Sequence, residues 1–261
     1  MHRGVLVVEI LALAIASLGA RNGSLRVPAS RVSGIPVVKS PPRTIRFKGW
    51  SADNRHWGFY NVTTSTFEGV EAIRSDDSLM ISYSVDVRKH WIFEDLHFNI
   101  ARLSLIPEKK RIFINFTGKT VSERRGADIN RAVEILDRKW WTDDPQCERT
   151  SLYYFNLHGF GWKHRSSTAS YAGIATVGFT AAEGRNSVQA YFAPSRGCEI
   201  LYALYLTTNQ FGIPTSLSVK EVVSYQMGEP TLNSLKYRSA SGKFIDSSSA
   251  TGAPVCLGDG A

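Results

Sequence analysis

The feature that most constrains this chain is the strict alternation from Ser78 to Val87. Leu79, Ile81, Tyr83, Val85 and Val87 fall on one side, and Ser82, Ser84 and Asp86 on the other. Side chains of an extended strand point to opposite faces in turn, so the pattern predicts a strand with one face on a core. Leu96 to Ile106 and Lys110 to Thr117 alternate in the same way. Pro107 lies between them, where a turn suits it better than a strand centre, so the two segments are read as an antiparallel hairpin.

Shorter strands are predicted over 45–50 and 56–62. Later strands are predicted over 151–162, 170–180, 187–193, 199–208 and 217–227, with turns at 181–186 and 194–197. Closely spaced turns and many short strands indicate a mainly β domain. The expected architecture is an antiparallel β-sandwich, jelly-roll-like, with a closed β-barrel around a ligand cavity as the alternative.

One segment has a different period. Between Asp128 and Trp140 the apolar residues Ile129, Ala132, Val133, Leu136 and Trp140 trace one helical face. Asp128 suits the start, and Arg138 and Lys139 suit the last turn. One amphipathic helix is therefore expected near 128–140.

The ends read differently from the body. Met1-His2-Arg3 precedes an apolar run from Val5 to Leu18 broken by Glu9, and small residues follow up to Ala20. This is the pattern of a secretory signal over 1–20, with an uncleaved anchor as the competing reading. Residues 21–43 carry basic residues and prolines without acids, and are read as a basic linker. The β-rich domain is placed at 44–238, and a Ser/Gly-rich tail, expected to be mobile, at 239–261.

An exported chain meets an oxidising compartment, which gives its cysteines meaning. Cys147 and Cys198 are expected to pair, closing a loop of about 52 residues and contributing roughly 4 kcal/mol on the chain-entropy account. Cys256 is left over in the tail. Sequons occur at Asn22, Asn61 and Asn115.

The formal net charge is +8, and aromatic residues make up 11% of the chain. A basic exported protein is biased towards polyanions such as acidic glycans or anionic membranes. Rings near cations would suit stacking on sugars. The candidate ligand-binding residues are Trp57 with Arg55, Trp141, and Trp162 with Lys163 and Arg165. Paired carboxylates offer the alternative of polysaccharide hydrolysis, with Glu94, Asp143 and Asp144 as candidate catalytic acids. Asp95 and His97, two apart on a strand, form a weak candidate metal pair.

The sequence contains no Gly-x-Ser-x-Gly elbow, His-Glu-x-x-His, phosphate-binding loop or Cys-x-x-Cys, which argues against enzymes built on those signatures. No cofactor and no nucleic-acid motif are implied. The leading expectation is an extracellular module for a glycan or other polyanionic surface. The alternatives are a secreted hydrolase and a β-barrel carrier of a small apolar ligand.

Overall fold

The computed structural model describes residues 37–54, 62–75, 79–90, 93–105, 110–115, 117, 120–125, 141–230, 237–238 and 244–245. The expected signal, most of the linker, the helix at 128–140, Trp57, Arg55 and most of the tail with Cys256 lie outside these residues.

The strands in chain order are β1 (Val37–Val38), β2 (Arg43–Asp53), β3 (Thr63–Ile73), β4 (Leu79–Lys89), β5 (Glu94–Leu105), β6 (Lys110–Asn115), β7 (Thr120–Arg125) and β8 (Trp141–Thr142). A helix, α1 (Glu148–Leu157), follows. Then come β9 (His164–Tyr171), β10 (Ile174–Glu183), β11 (Asn186–Ala193), β12 (Glu199–Thr208), β13 (Pro214–Met227), β14 (Tyr237–Arg238) and β15 (Phe244–Ile245).

The mainly antiparallel β class holds. Eleven strands join in one sheet of order β7-β6-β5-β4-β3-β2-β13-β12-β11-β10-β9, with two two-stranded ribbons beside it. Every neighbouring pair is antiparallel. The fold is thus two meanders, β2 to β7 and β9 to β13, joined edge to edge where β13 pairs with β2. Among the described residues β7 and β9 form the two open edges.

The sheet bends between β9 and β12, on the face opposite Phe179 and Phe192. Tyr171 on β9 stacks on Tyr202 of β12 with ring centroids 5.0 Å apart. Three strand spacings separate those strands, about 14 Å in a flat sheet. Bulges at Val177/Phe179, Tyr191/Phe192 and Val222/Ser224 supply local kinks and added twist.

Two predictions near the chain's middle fail for physical reasons. The segment 151–162 forms no strand: its first half continues α1 from Glu148. Its β-favouring rings hide a helical face, with Ser151 and Phe155, four apart, both fully buried. Asp144 fixes the start of this helix, its Oδ2 accepting the N–H groups of Arg149 and Thr150 at 2.9 Å each. The segment 170–180 is a hairpin, broken at Ala172 and Gly173, whose φ angles are 51° and 73°.

Candidate functional site

Register defines one continuous apolar wall. Phe67 lies opposite Val85, and Val85 opposite Phe98, so one cross-strand row runs over β3, β4 and β5. Phe47, Val87 and Ile100 complete a buried cluster, with Ile81 and Leu96 partly buried against it. A second cluster continues the same face across β10 and β11, where Val177, Phe179, Val188 and Phe192 pack under Phe155 and Phe160. A third joins Ile45, Ala193, Leu201 and Val222.

The helix covers only part of this face. A ten-residue helix is about 15 Å long and about 10 Å across, enough for two or three strands at about 4.8 Å spacing. It sits on β10 to β12. The wall on β2 to β5 is equally buried, yet among the described residues no helix packs on it.

One ion pair interrupts the wall. Lys220 Nζ lies 2.6 Å from Glu71 Oε1, whose side chain is buried, and 4.1 Å from the centroid of Phe47. Neighbouring Gly49 faces Lys220 across the β13–β2 ladder and Phe67 across the β2–β3 ladder. The glycine is required by space: a Cβ there would stand 2.2 Å from both Phe67 Cζ and the Val219 carbonyl oxygen.

Two polar clusters lie elsewhere in the interior. Glu199 Oε2 accepts from Arg43 Nε at 2.6 Å and from the Tyr225 hydroxyl at 2.9 Å. Burial, then the Glu199 carboxylate, pushes the Tyr225 phenol above its ordinary range. At the end of α1, His158 Nδ1 bonds the Tyr154 carbonyl at 2.8 Å, and the Tyr205 hydroxyl lies 3.3 Å from Nε2. The Tyr154 and Tyr205 hydroxyls bond each other. Burial lowers His158 to about 4 and pushes the Tyr205 phenol up. The imidazole is therefore neutral at physiological pH, donating from Nδ1 and accepting at Nε2.

The sequence-derived candidates are scattered. Asp144 caps α1 and also accepts from Thr150 Oγ1 at 3.0 Å, so its Oδ2 is occupied locally. Asp143 is exposed in the turn after β8. Glu94 pairs with Lys89 at 2.9 Å, at the sheet end where β5 begins. Asp95 meets Arg88 at 3.1 Å, and His97 Nδ1 meets Asp86 at 2.7 Å, so each has its own cross-strand partner. Among the described residues no group of three metal-ligating side chains occurs.

Trp141 lies against Gly197, with the Arg43 guanidinium 5.4 Å from its ring. Trp162 is half exposed, edge-on to His164 at 4.8 Å. Lys163 bonds Glu148 and lies 3.9 Å from the Phe179 ring. Arg165 bonds Gln146 at 2.9 Å. Both cations therefore brace the helix. Cys147 and Cys198 form a disulfide with Cα atoms 5.5 Å apart, tying α1 to the turn between β11 and β12.

Phe67, Glu71 and Lys220 were missed by sequence reasoning. For Phe67 and Glu71 the signal was alternation in Thr63 to Ile73, muted because Gly69 and Glu71 stand at inward positions; Lys220 lay within the predicted strand 217–227 and was not singled out.

Within the described residues no helix is long and apolar enough to cross a membrane. No known protein family matches the chain. No curated protein matches it either. Solved structures resemble it weakly. The MucA/MucB complex of Pseudomonas aeruginosa aligns at 14% identity and TM-score 0.38, over 74% of this chain and 54% of that one, so the chain spans about half its length. Lipoprotein LppX of Mycobacterium tuberculosis aligns at 10% identity and TM-score 0.33, over 84% and 97% of the two chains. LprF of Mycobacterium bovis aligns at 8% identity and TM-score 0.34, over 74% and 90%.

Proposed function

We propose that this domain is a carrier that holds a small, largely apolar ligand against the apolar face of its sheet, in an oxidising compartment outside the cytosol. The observation that carries this reading is the wall on β2 to β5: Phe47, Phe67, Val85, Val87, Phe98 and Ile100 form a buried apolar cluster beyond the reach of α1, the one helix among the described residues. Mostly apolar linings with a few placed polar groups are characteristic of small-molecule sites. The Lys220–Glu71 pair is the polar feature beside that wall. Lys220 is partly exposed, and a cation beside an apolar wall suits a ligand with an apolar body and one acidic or hydrogen-bonding end. The disulfide supports the compartment.

A glycan site would use exposed rings beside cations. Trp141 is packed against Gly197, and Lys163 and Arg165 are engaged at the start of α1, which leaves Trp162 as the exposed ring of that set among the described residues.

The test is titration of the purified protein with a fluorescent apolar probe such as N-phenyl-1-naphthylamine, followed by displacement with a fatty acid. The expected result is saturable micromolar binding that Leu96→Trp or Ile81→Trp weakens at least tenfold by filling the wall. Lack of saturable binding by a folded protein would remove the carrier reading.

A further inference from the structure

Two arginines meet around one phenol where the two meanders join. Arg43 is fully buried, and its guanidinium is fixed along two of its edges. Nε donates to Glu199 Oε2 at 2.6 Å, and Nη1 donates to Ser40 Oγ and, at 3.0 Å, to the Pro41 carbonyl. Arginine carries more N–H donors than these bonds use. Those on Nη2 are buried with no hydrogen-bond partner among the described residues. Arg196 reaches the same place from the turn between β11 and β12. Its guanidinium carbon lies 5.6 Å from the centroid of the Tyr225 ring. The Tyr225 hydroxyl donates at 2.9 Å to Glu199 Oε2, the oxygen that Arg43 also uses. Arg196 Nε is likewise buried with no hydrogen-bond partner among the described residues.

The turn that presents Arg196 is braced on its far side. Cys198 is tied to Cys147, and Gly197 lies so close to Trp141 that a Cβ there would stand 2.4 Å from the ring. Both cations are therefore placed by rigid surroundings, as a binding site requires. Their charge is not balanced within the cluster. The charged groups acting on the Tyr225 phenol are Glu199, Arg43 and Arg196, one carboxylate against two guanidinium groups. Arginine stays protonated inside proteins. Lys220 and Glu71, on the same sheet face beyond Ile45, offset each other at 2.6 Å and leave the excess unchanged. A buried charge is costly unless an opposite charge meets it. Water satisfies spare N–H groups but brings no charge.

We infer that Arg43 and Arg196 form a binding site for one small oxyanion, a phosphate or carboxylate group, held by Arg43 Nη2 and Arg196 Nε beside the Tyr225 ring. Guanidinium groups match the oxygens of such anions in geometry and form charge-assisted bonds, stronger than those to neutral acceptors. Arg196 is only partly buried, so an ion reaches the site from that side. Tyr225 lies opposite Ile45, a member of the third apolar cluster, so the site borders the apolar face of the sheet. The oxyanion therefore has two sources, a free ion or the acidic head of an amphiphile lying on that face. The site stands on these residues alone and does not depend on the carrier reading.

Thermal unfolding of the whole chain tests this, followed against sodium phosphate with sodium chloride adjusted to hold ionic strength constant. A saturable rise in the midpoint is expected, and it gives an apparent Kd. Arg196→Gln is expected to weaken that Kd at least tenfold. Arg88→Gln removes an exposed cation of β4 that pairs with Asp95, and is expected to respond like the wild type. Each variant is judged by its own dependence on phosphate, so a general loss of stability does not mimic the result. Monododecyl phosphate below its micellar concentration separates the two sources. A Kd at least tenfold tighter than that of phosphate, and weakened by Arg196→Gln, assigns the site to an amphiphile's head; an equal Kd assigns it to a free ion. The inference is overturned if neither compound raises the midpoint saturably, if Arg196→Gln responds like the wild type, or if Arg88→Gln loses the response equally. Dodecyl phosphate binding that ignores Arg196→Gln would support the carrier wall and still overturn this site, so the two readings fail separately.

Discussion

The guanidinium of Arg43 and the carboxylate of Glu199 meet at 2.6 Å in the interior, their side chains 1% and 4% exposed. Arg43 begins β2 and Glu199 begins β12, with β13 between them, so the pair fastens the two meanders across their junction. Further bonds from Arg43 Nη1 to the Pro41 carbonyl at 3.0 Å and to Ser40 Oγ tie in the chain entering β2. Removing one partner leaves a buried charge uncompensated. Glu199→Gln is expected to cost about 3 to 5 kcal/mol, measured by urea unfolding. The double variant Arg43→Met/Glu199→Leu is expected to recover most of that loss, because neither charge of the pair is then left buried alone.

His158 makes stability depend on pH. Its folded value is about 4, against 6.5 for the free side chain, because burial disfavours the imidazolium. A lowered histidine contributes stability that is complete above the unfolded value and lost as pH falls through 6.5 towards 4. The loss over that window is about 3 kcal/mol at most. The wild type is expected to weaken by about 2 to 3 kcal/mol between pH 7 and pH 4.5 relative to His158→Gln, compared by urea unfolding at the two pH values.

The disulfide closes a chain separation of 51 residues and holds the start of α1 to the β11–β12 turn. Its loss is expected to cost about 2 to 4 kcal/mol. Comparison of Cys147→Ala/Cys198→Ala with the wild type by thermal unfolding checks this. The double variant also separates the bridge from any effect of Cys256.

Gly49 gives a test of how tightly the wall is built. A methyl group there would collide with the Phe67 ring and the Val219 carbonyl. Gly49→Ala is expected to destabilise by about 1 to 3 kcal/mol, the usual cost of overpacking. Adding Phe67→Leu relieves the ring but not the carbonyl, so only part of the loss is expected to return.

Much of this fold was legible where one face is apolar and the other polar without interruption. β4 shows it best, with Val85 and Val87 buried and Asp86 and Arg88 exposed. β3 was missed because its inward positions include Ser65, Gly69 and Glu71, which periodicity does not score as apolar. α1 was misread because Tyr153, Tyr154 and Phe155 favour strands locally. Its helical state rests on the Asp144 cap, the Cys147 bridge and the burial of Ser151 and Phe155, and the bridge and the burial depend on distant residues. The hairpin at Ala172 was hidden because alanine rarely takes positive φ, so only Gly173 marked it.

The candidate site was less legible for a related reason. Lys163, Arg165, Glu94 and Asp144 looked chemical because charged residues stood near rings in sequence. In the fold each is occupied by a structural partner. The Lys220–Glu71 pair spans 149 positions of chain and becomes visible only when β13 is laid beside β2 and β3.

Native mass spectrometry of the protein purified without detergent tests the central claim most directly. The carrier account predicts a population heavier than the polypeptide by one small ligand, released into organic solvent as an apolar molecule with one polar end. Leu96→Trp is expected to lose most of that population while staying folded. A folded protein that shows only the polypeptide mass, and takes up no apolar ligand when one is supplied, would contradict it.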